Sequence, residues 1–236
     1  MEWAAACKPY WLGFLQEPAN AISSAAFVVA GAGILVASRR TEARSDEPGR
    51  DRRTVFALLV AGVGVGSFIQ HGPHPDWQAY AHDLPLAAVL VFVAADAASD
   101  LTGRELSHRW WLIPSVAMVP VVALGATAST IAQTVMAAAA IGGNLLRAVR
   151  RPVLRRALIT ALVIAAAGVT IGTPSDPMSL CRADGLLPRH AIWHVLAAAA
   201  LWRLATAIGA RCTSSLGKLT ASRAGTRGRR SVVPGA

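Results

Sequence analysis

The sequence predicts an all-α membrane protein: a seven-transmembrane helix bundle with its N-terminus outside and its C-terminus cytoplasmic. Three observations lead there. Hydrophobic residues make up 54% of the 236-residue chain, above the roughly 45–50% of soluble domains. They gather in blocks of about 20, the length that crosses a bilayer core of about 30 Å. Basic residues then collect on alternate sides of those blocks, as the enrichment of Lys and Arg in cytoplasmic loops requires.

Taken in order, the apolar segments lie near 19–38, 54–71, 80–98, 110–125, 128–146, 155–172 and 188–209, each bounded by charge or by Gly and Pro. The fourth and fifth run together in "WWLIPSVAMVPVVALGATASTIAQTVMAAAAIGGNLL". At about 1.5 Å per residue that stretch is too long for one spanning helix, and "GATAST" supplies the break. Arg39, Arg40, Arg44, Arg50, Arg52 and Arg53 follow the first segment, and Arg104 and Arg109 follow the third. Arg147, Arg150, Arg151, Arg155 and Arg156 follow the fifth, and Arg203, Arg211, Lys218, Arg223, Arg227, Arg229 and Arg230 end the chain. Of the 23 Lys and Arg, only Lys8, Arg182 and Arg189 fall on the other side. Merging segments four and five would destroy this alternation.

The net charge of +10 is therefore mostly a topology signal. No nucleic-acid motif accompanies it, so nucleic acid is not an expected partner. Residues 1–18 read as an extracytoplasmic segment, 19–209 as the transmembrane domain and 210–236 as a basic, disordered cytoplasmic tail, solvated or resting on anionic lipid headgroups. Residues 1–16 lack a basic region followed by a small-residue cleavage site, so no cleaved signal peptide is expected and the first span serves as its own insertion signal.

This topology brings ionisable residues of distant segments to one depth. Segment two ends in "GSFIQHGPHPDW", which puts Ser67 and His71 in its outer half. Segment three begins with "AYAHDLPL", which puts His82 and Asp83 at a similar level. Segment seven enters with "HAIWH", so His190 and His194 occupy its first two turns. Ionisable groups inside a span are costly and usually mark function. His190 and His194, at i and i+4, share a helix face and can hold one metal ion. Ser67 and His71 share that spacing and aim at the same place. A lone intramembrane histidine more often serves helix–helix hydrogen bonding, but the combination with Asp83 favours a metal site. His82 is an alternative ligand to His71, His74 belongs to a solvated loop, and His108 sits at the opposite interface. "HAIWH" lacks the Glu of an HExxH protease motif, so a base must come from elsewhere, with Asp83 the candidate.

"EPANAISSAAF", "GSFIQH" followed by "HDLPL", and the late "HAIWH" together resemble the alkaline ceramidase family, within the wider superfamily of seven-span hydrolases that includes the adiponectin-receptor proteins. The likeness covers segments one, two, three and seven. It implies a zinc-dependent hydrolase of linear amides, acting on a ceramide-like sphingolipid amide. His71, His190 and His194 would be the zinc ligands, Asp83 the base and Ser67 the oxyanion donor. Three protein ligands leave an open fourth position for water, whose pKa zinc lowers toward about 7.

The resemblance also implies an N-terminal calcium site at Glu17 and Asn20, with Glu2 and Trp3 as further matches. Lys8 stands where the family has an acid, which disfavours that ion; Glu17 then serves the positive end of a helix that Pro18 starts. The His71–Asp83 spacing is one residue longer than in the family, a difference the loop "GPHPDW" can absorb. The topology puts Cys7 and Cys181 outside and Cys212 inside, so Cys7–Cys181 is the expected disulfide, in a region where the family carries one. The expected location is a bacterial plasma membrane with the site toward the outer side. The alternative function is a non-catalytic seven-span receptor or lipid-binding protein with a structural metal, which a fourth ligand such as His82 would favour.

Overall fold

The computed structural model of this chain describes residues 13–42, 50–172 and 189–210. Among them every regular element is helical: α1 (Pro18–Ser23), α2 (Ala25–Glu42), α3 (Arg50–His71), α4 (Gln78–Thr102), α5 (Arg109–Ala123), α6 (Ala126–Arg150), α7 (Pro152–Gly172) and α8 (Arg189–Leu204), with a 3-10 turn over Ala205–Ala207. Each of the seven apolar segments coincides with a helix or, for the first, with α1 and α2. Among the described residues, five stretches are long and apolar enough to cross a bilayer: Pro18–Arg40, Asp51–His71, Gln78–Thr102, Ala126–Arg150 and Pro152–Gly172. The helices α5 and α8 are shorter, at 15 and 16 residues. Cys7, Cys181, Cys212, Lys8, Glu2, Trp3 and the basic tail lie outside the described residues.

Local chemistry explains the breaks. Between α5 and α6, Gly125 takes φ 107, a conformation open to glycine at little cost, so "GATAST" does divide the long apolar run. The first segment is interrupted at Ser24 because the Asn20 carbonyl is over-subscribed. It accepts from the Ser24 amide at 3.1 Å, from Ser23 Oγ at 3.0 Å and from Ser24 Oγ at 2.8 Å. Such side-chain-to-backbone bonds compete with the helix ladder and bend it.

The outward faces carry large apolar side chains, among them Val135 and Ile131 on α6, Val153 and Val163 on α7, and Ile113 and Val116 on α5. Contiguous apolar surface of this kind is a liability in water and normal against lipid. Inside, α3 and α4 come unusually close. Pro85 within α4 has no N–H to offer the Ala81 carbonyl one turn earlier. That carbonyl is instead received by Gly66 of α3, where an added Cβ would lie 1.9 Å from it. The close approach sets the start of α4, with His82 and Asp83, beside Ser67 and His71 at the end of α3.

Candidate metal centre

His71 ends α3 while His190 and His194 sit one turn apart near the start of α8. The potential ligand atoms of these three residues all lie within 4.8 Å of one another. Ring centroids are separated by 5.0 Å for His71–His190, 5.2 Å for His71–His194 and 4.6 Å for His190–His194. His71 and His194 are buried and His190 is half-buried.

A second ring nitrogen of His71 and of His194 is held by α1 and by the Glu17 that precedes it. His71 Nδ1 lies 2.6 Å from Glu17 Oε2, which also accepts from Asn20 Nδ2 at 2.7 Å. The Glu17 amide donates to the His71 carbonyl at 2.9 Å, so the two residues are joined through both backbone and side chain. His194 Nδ1 lies 3.2 Å from the Asn20 carbonyl and 2.9 Å from Ser23 Oγ. A carbonyl can only accept, and Ser23 already donates its hydroxyl hydrogen to Asn20. This assigns the proton to Nδ1 of His194 and leaves Nε2 with a lone pair. The same logic at His71, facing a carboxylate, leaves its Nε2 bare. That atom is buried without a hydrogen-bond partner.

A buried imidazole nitrogen without a partner is costly in a purely structural role. In a ligand set it is the coordinating atom. Metal-bound histidines characteristically give their second N–H to a carboxylate or a backbone carbonyl, and His71 and His194 do one of each. The donor set fits a borderline cation of the zinc type.

Around the triad, Ser67 is buried with Oγ 3.2 Å from His194 Nε2. Asp83 does not join the triad's ligand atoms. Its Oδ1 accepts from His82 Nδ1 at 2.7 Å and its Oδ2 accepts from Ser129 Oγ of α6 at 2.5 Å. Ser129 is in turn steadied by Gln133 Nε2 at 3.0 Å. The ring of His82 stands 6.4 Å from that of His71, outside the close set of three. His74 occupies the turn after α3 with φ 51, its Nδ1 2.6 Å from the Gln70 carbonyl. His108 precedes α5 and packs against Trp111.

Glu17 does begin α1 ahead of Pro18, but its side chain makes no capping bond; the carboxylate turns to His71 instead. Sequence reasoning missed this role, and it missed Ser23, Ser24, Ser129 and Gln133. Beside α1 and α8 lies an apolar cavity of about 540 Å³ lined by Ala19, Ile22, Ser23, Ala191, Ile192, Val195 and Leu196.

No protein-family model and no curated protein matches this chain.

Proposed function

We propose that this chain is an intramembrane, zinc-dependent hydrolase of long-chain lipid amides. On this reading it is a seven-span bundle, N-terminus outside, with the site toward the outer face of a plasma membrane. The observation that carries the reading is the triad itself. Three imidazoles from two distant helices converge, and the buried Nε2 of His71 has no hydrogen-bond partner while its Nδ1 is held by Glu17. His71, His190 and His194 are the ligands, and an ion held by three such groups keeps a fourth position open.

A bound zinc ion supplies a Lewis acid and an activated water near neutral pH. The remaining work belongs to side chains. Asp83 would accept the proton that the attacking water gives up, at a free lone pair of its carboxylate: each of its oxygens spends one lone pair, on His82 and on Ser129, and a carboxylate has about four acceptor sites. Ser129 and Gln133 hold that carboxylate still. Ser67 donates its hydroxyl to the oxygen of the substrate carbonyl as negative charge develops there. Burial of Ser67 and Ser129 excludes water and strengthens these hydrogen bonds.

The lipid class of the substrate rests on the exposed apolar helix faces and on the apolar cavity beside α1 and α8. The amide bond, and a ceramide-like structure in particular, rest on the motif resemblance in α1, α3, α4 and α8. The test is metal analysis of the purified full-length chain with a hydrolysis assay on a panel of long-chain amides. The reading requires zinc in the protein, turnover of at least one N-acyl amide, loss of turnover on chelation and recovery with zinc. Full activity in a metal-free preparation would refute it.

A further inference from the structure

Two of the three ligands ride on α8, so whatever fixes α8 along its axis fixes the site. Helix α8 packs chiefly against α7, α2 and α1. Its tie to α3 and α4, which carry His71, His82 and Asp83, runs through the two ends. One end is the histidine cluster. The other is a knot of buried charge at the far side of the bundle.

Past Leu204, α8 tightens into its 3-10 turn and reaches Gly209 at φ 76. Three of its terminal backbone groups are taken by side chains from other helices. Arg147 of α6 donates through Nη2 to the Ala207 carbonyl at 2.8 Å. Asp96 of α4 accepts from the Gly209 amide at 3.3 and 3.4 Å. Arg53 of α3 donates through Nε to the Ile208 carbonyl at 3.1 Å. Arg147 and Asp96 are completely buried and are braced by their neighbours. Arg147 Nε donates to Asp100 at 3.0 Å, and Nη1 donates to Asp96 at 3.4 Å and to Asn144 Oδ1 at 3.2 Å. Arg151 donates to Asp100 at 2.5 Å and Arg52 to Asp96 at 3.3 Å.

Buried ion pairs are a poor source of stability, because apolar groups of equal volume hold helices together at least as well. They are better at specifying one arrangement. The inward face of α8 includes the small side chains Ala191, Ala197, Ala198 and Ala200; Trp193 and Trp202 key the helix into glycines of α7 and α2, and the charge knot ties its end to α3, α4 and α6.

We propose that Arg147 and Asp96 are positioning residues of the metal centre. By holding Ala207 and Gly209 they set the axial register of α8, and through the rigid helix the depth of His190 and His194 relative to His71. About 20 Å of helix separates His194 from Ala207 at ~1.5 Å per residue. This inference rests on the metal reading above.

The test uses the full-length chain in detergent micelles with Co²⁺ as the spectroscopic probe. Two variants are compared with wild type. Arg147→Lys keeps the charge but cannot fork to Asp100, Asp96 and Ala207 together. The triple variant Asp96→Leu/Asp100→Leu/Arg147→Met removes the buried charges, leaving Arg52 and Arg151 free to reach the surface. Both should bind Co²⁺ at least tenfold more weakly with altered visible bands, and the triple variant should keep a wild-type Tm. Folded variants with wild-type Co²⁺ affinity and spectrum overturn the proposal. Should Arg147→Lys fail to fold, the triple variant decides alone. Wild-type chain that binds no Co²⁺ overturns the metal reading itself, and this inference with it.

Discussion

Glu17 Oε2 lies 2.6 Å from Nδ1 of His71, and the opposite ring nitrogen, Nε2, is buried without a hydrogen-bond partner. The carboxylate fixes the tautomer and aims the bare nitrogen toward His190 and His194. Glu17→Ala should therefore weaken zinc binding by about 10–100-fold, the usual cost of losing such a partner, while Glu17→Gln, which keeps an acceptor, should cost less. Competition titration against a chromophoric chelator gives the numbers. Equal losses in both variants would point to the folding of α1 rather than to His71.

The polar chain behind Asp83 separates binding from turnover. Asp83→Asn should abolish hydrolysis and leave zinc content near normal. Ser129→Ala removes one hydrogen bond to that carboxylate and should lower kcat with little change in KM or zinc. Ser67→Ala should cost ~2–4 kcal/mol of transition-state stabilisation if its hydroxyl meets the oxyanion. Steady-state kinetics beside metal analysis distinguishes the three. Zinc lost together with activity in Asp83→Asn would make Asp83 a ligand or a folding determinant.

The contact between α3 and α4 predicts a pair of opposite glycine effects. Gly66→Ala drives a methyl into the Ala81 carbonyl and should destabilise by at least the ~1–3 kcal/mol typical of overpacking. Gly142→Ala meets nothing within 4 Å and should be neutral or mildly stabilising, since alanine is the better helix former. Thermal unfolding in detergent reads both. Similar Tm values for the two variants would show that α3 and α4 do not meet this closely.

The helices were legible because hydropathy reports burial in lipid without reference to any partner. The triad was legible because i, i+4 spacing fixes a helix face and the alternation of charge fixes depth. The partners of the triad were not, since no period in the sequence links Glu17 to His71, or Ser129 to Asp83; those pairings exist only once helices pack. The charge knot left a trace that went unread. Asp96 and Asp100 on α4, and Arg147 on α6 with Arg151 just after it, are both i, i+4 pairs, a matched spacing of opposite sign. Ending segment three at 98 put Asp100 in a loop, and reading Arg147 and Arg151 as loop cations hid them as partners. In the structure Asp96, Asp100 and Arg147 lie within helices, Arg151 directly follows α6, and the four join one another.

Cys7 and Cys181, outside the described residues, give an independent check of topology. If both face the oxidising side, peptide mapping without reductant should recover them as one linked pair, with Cys212 free. Recovery of Cys212 in a disulfide with either one would contradict the assigned orientation of the chain.

The central claim is that His71, His190 and His194 together hold one metal ion. The direct measurement is zinc content per folded chain for the wild type and for His71→Ala, His190→Ala and His194→Ala, purified without added metal. The account predicts about one zinc per wild-type chain and a loss of most of it in each single variant, because two histidines fall short of the three protein ligands that hold such an ion. Folded variants that keep wild-type zinc, or a folded wild type that neither carries zinc nor takes it up, would contradict it.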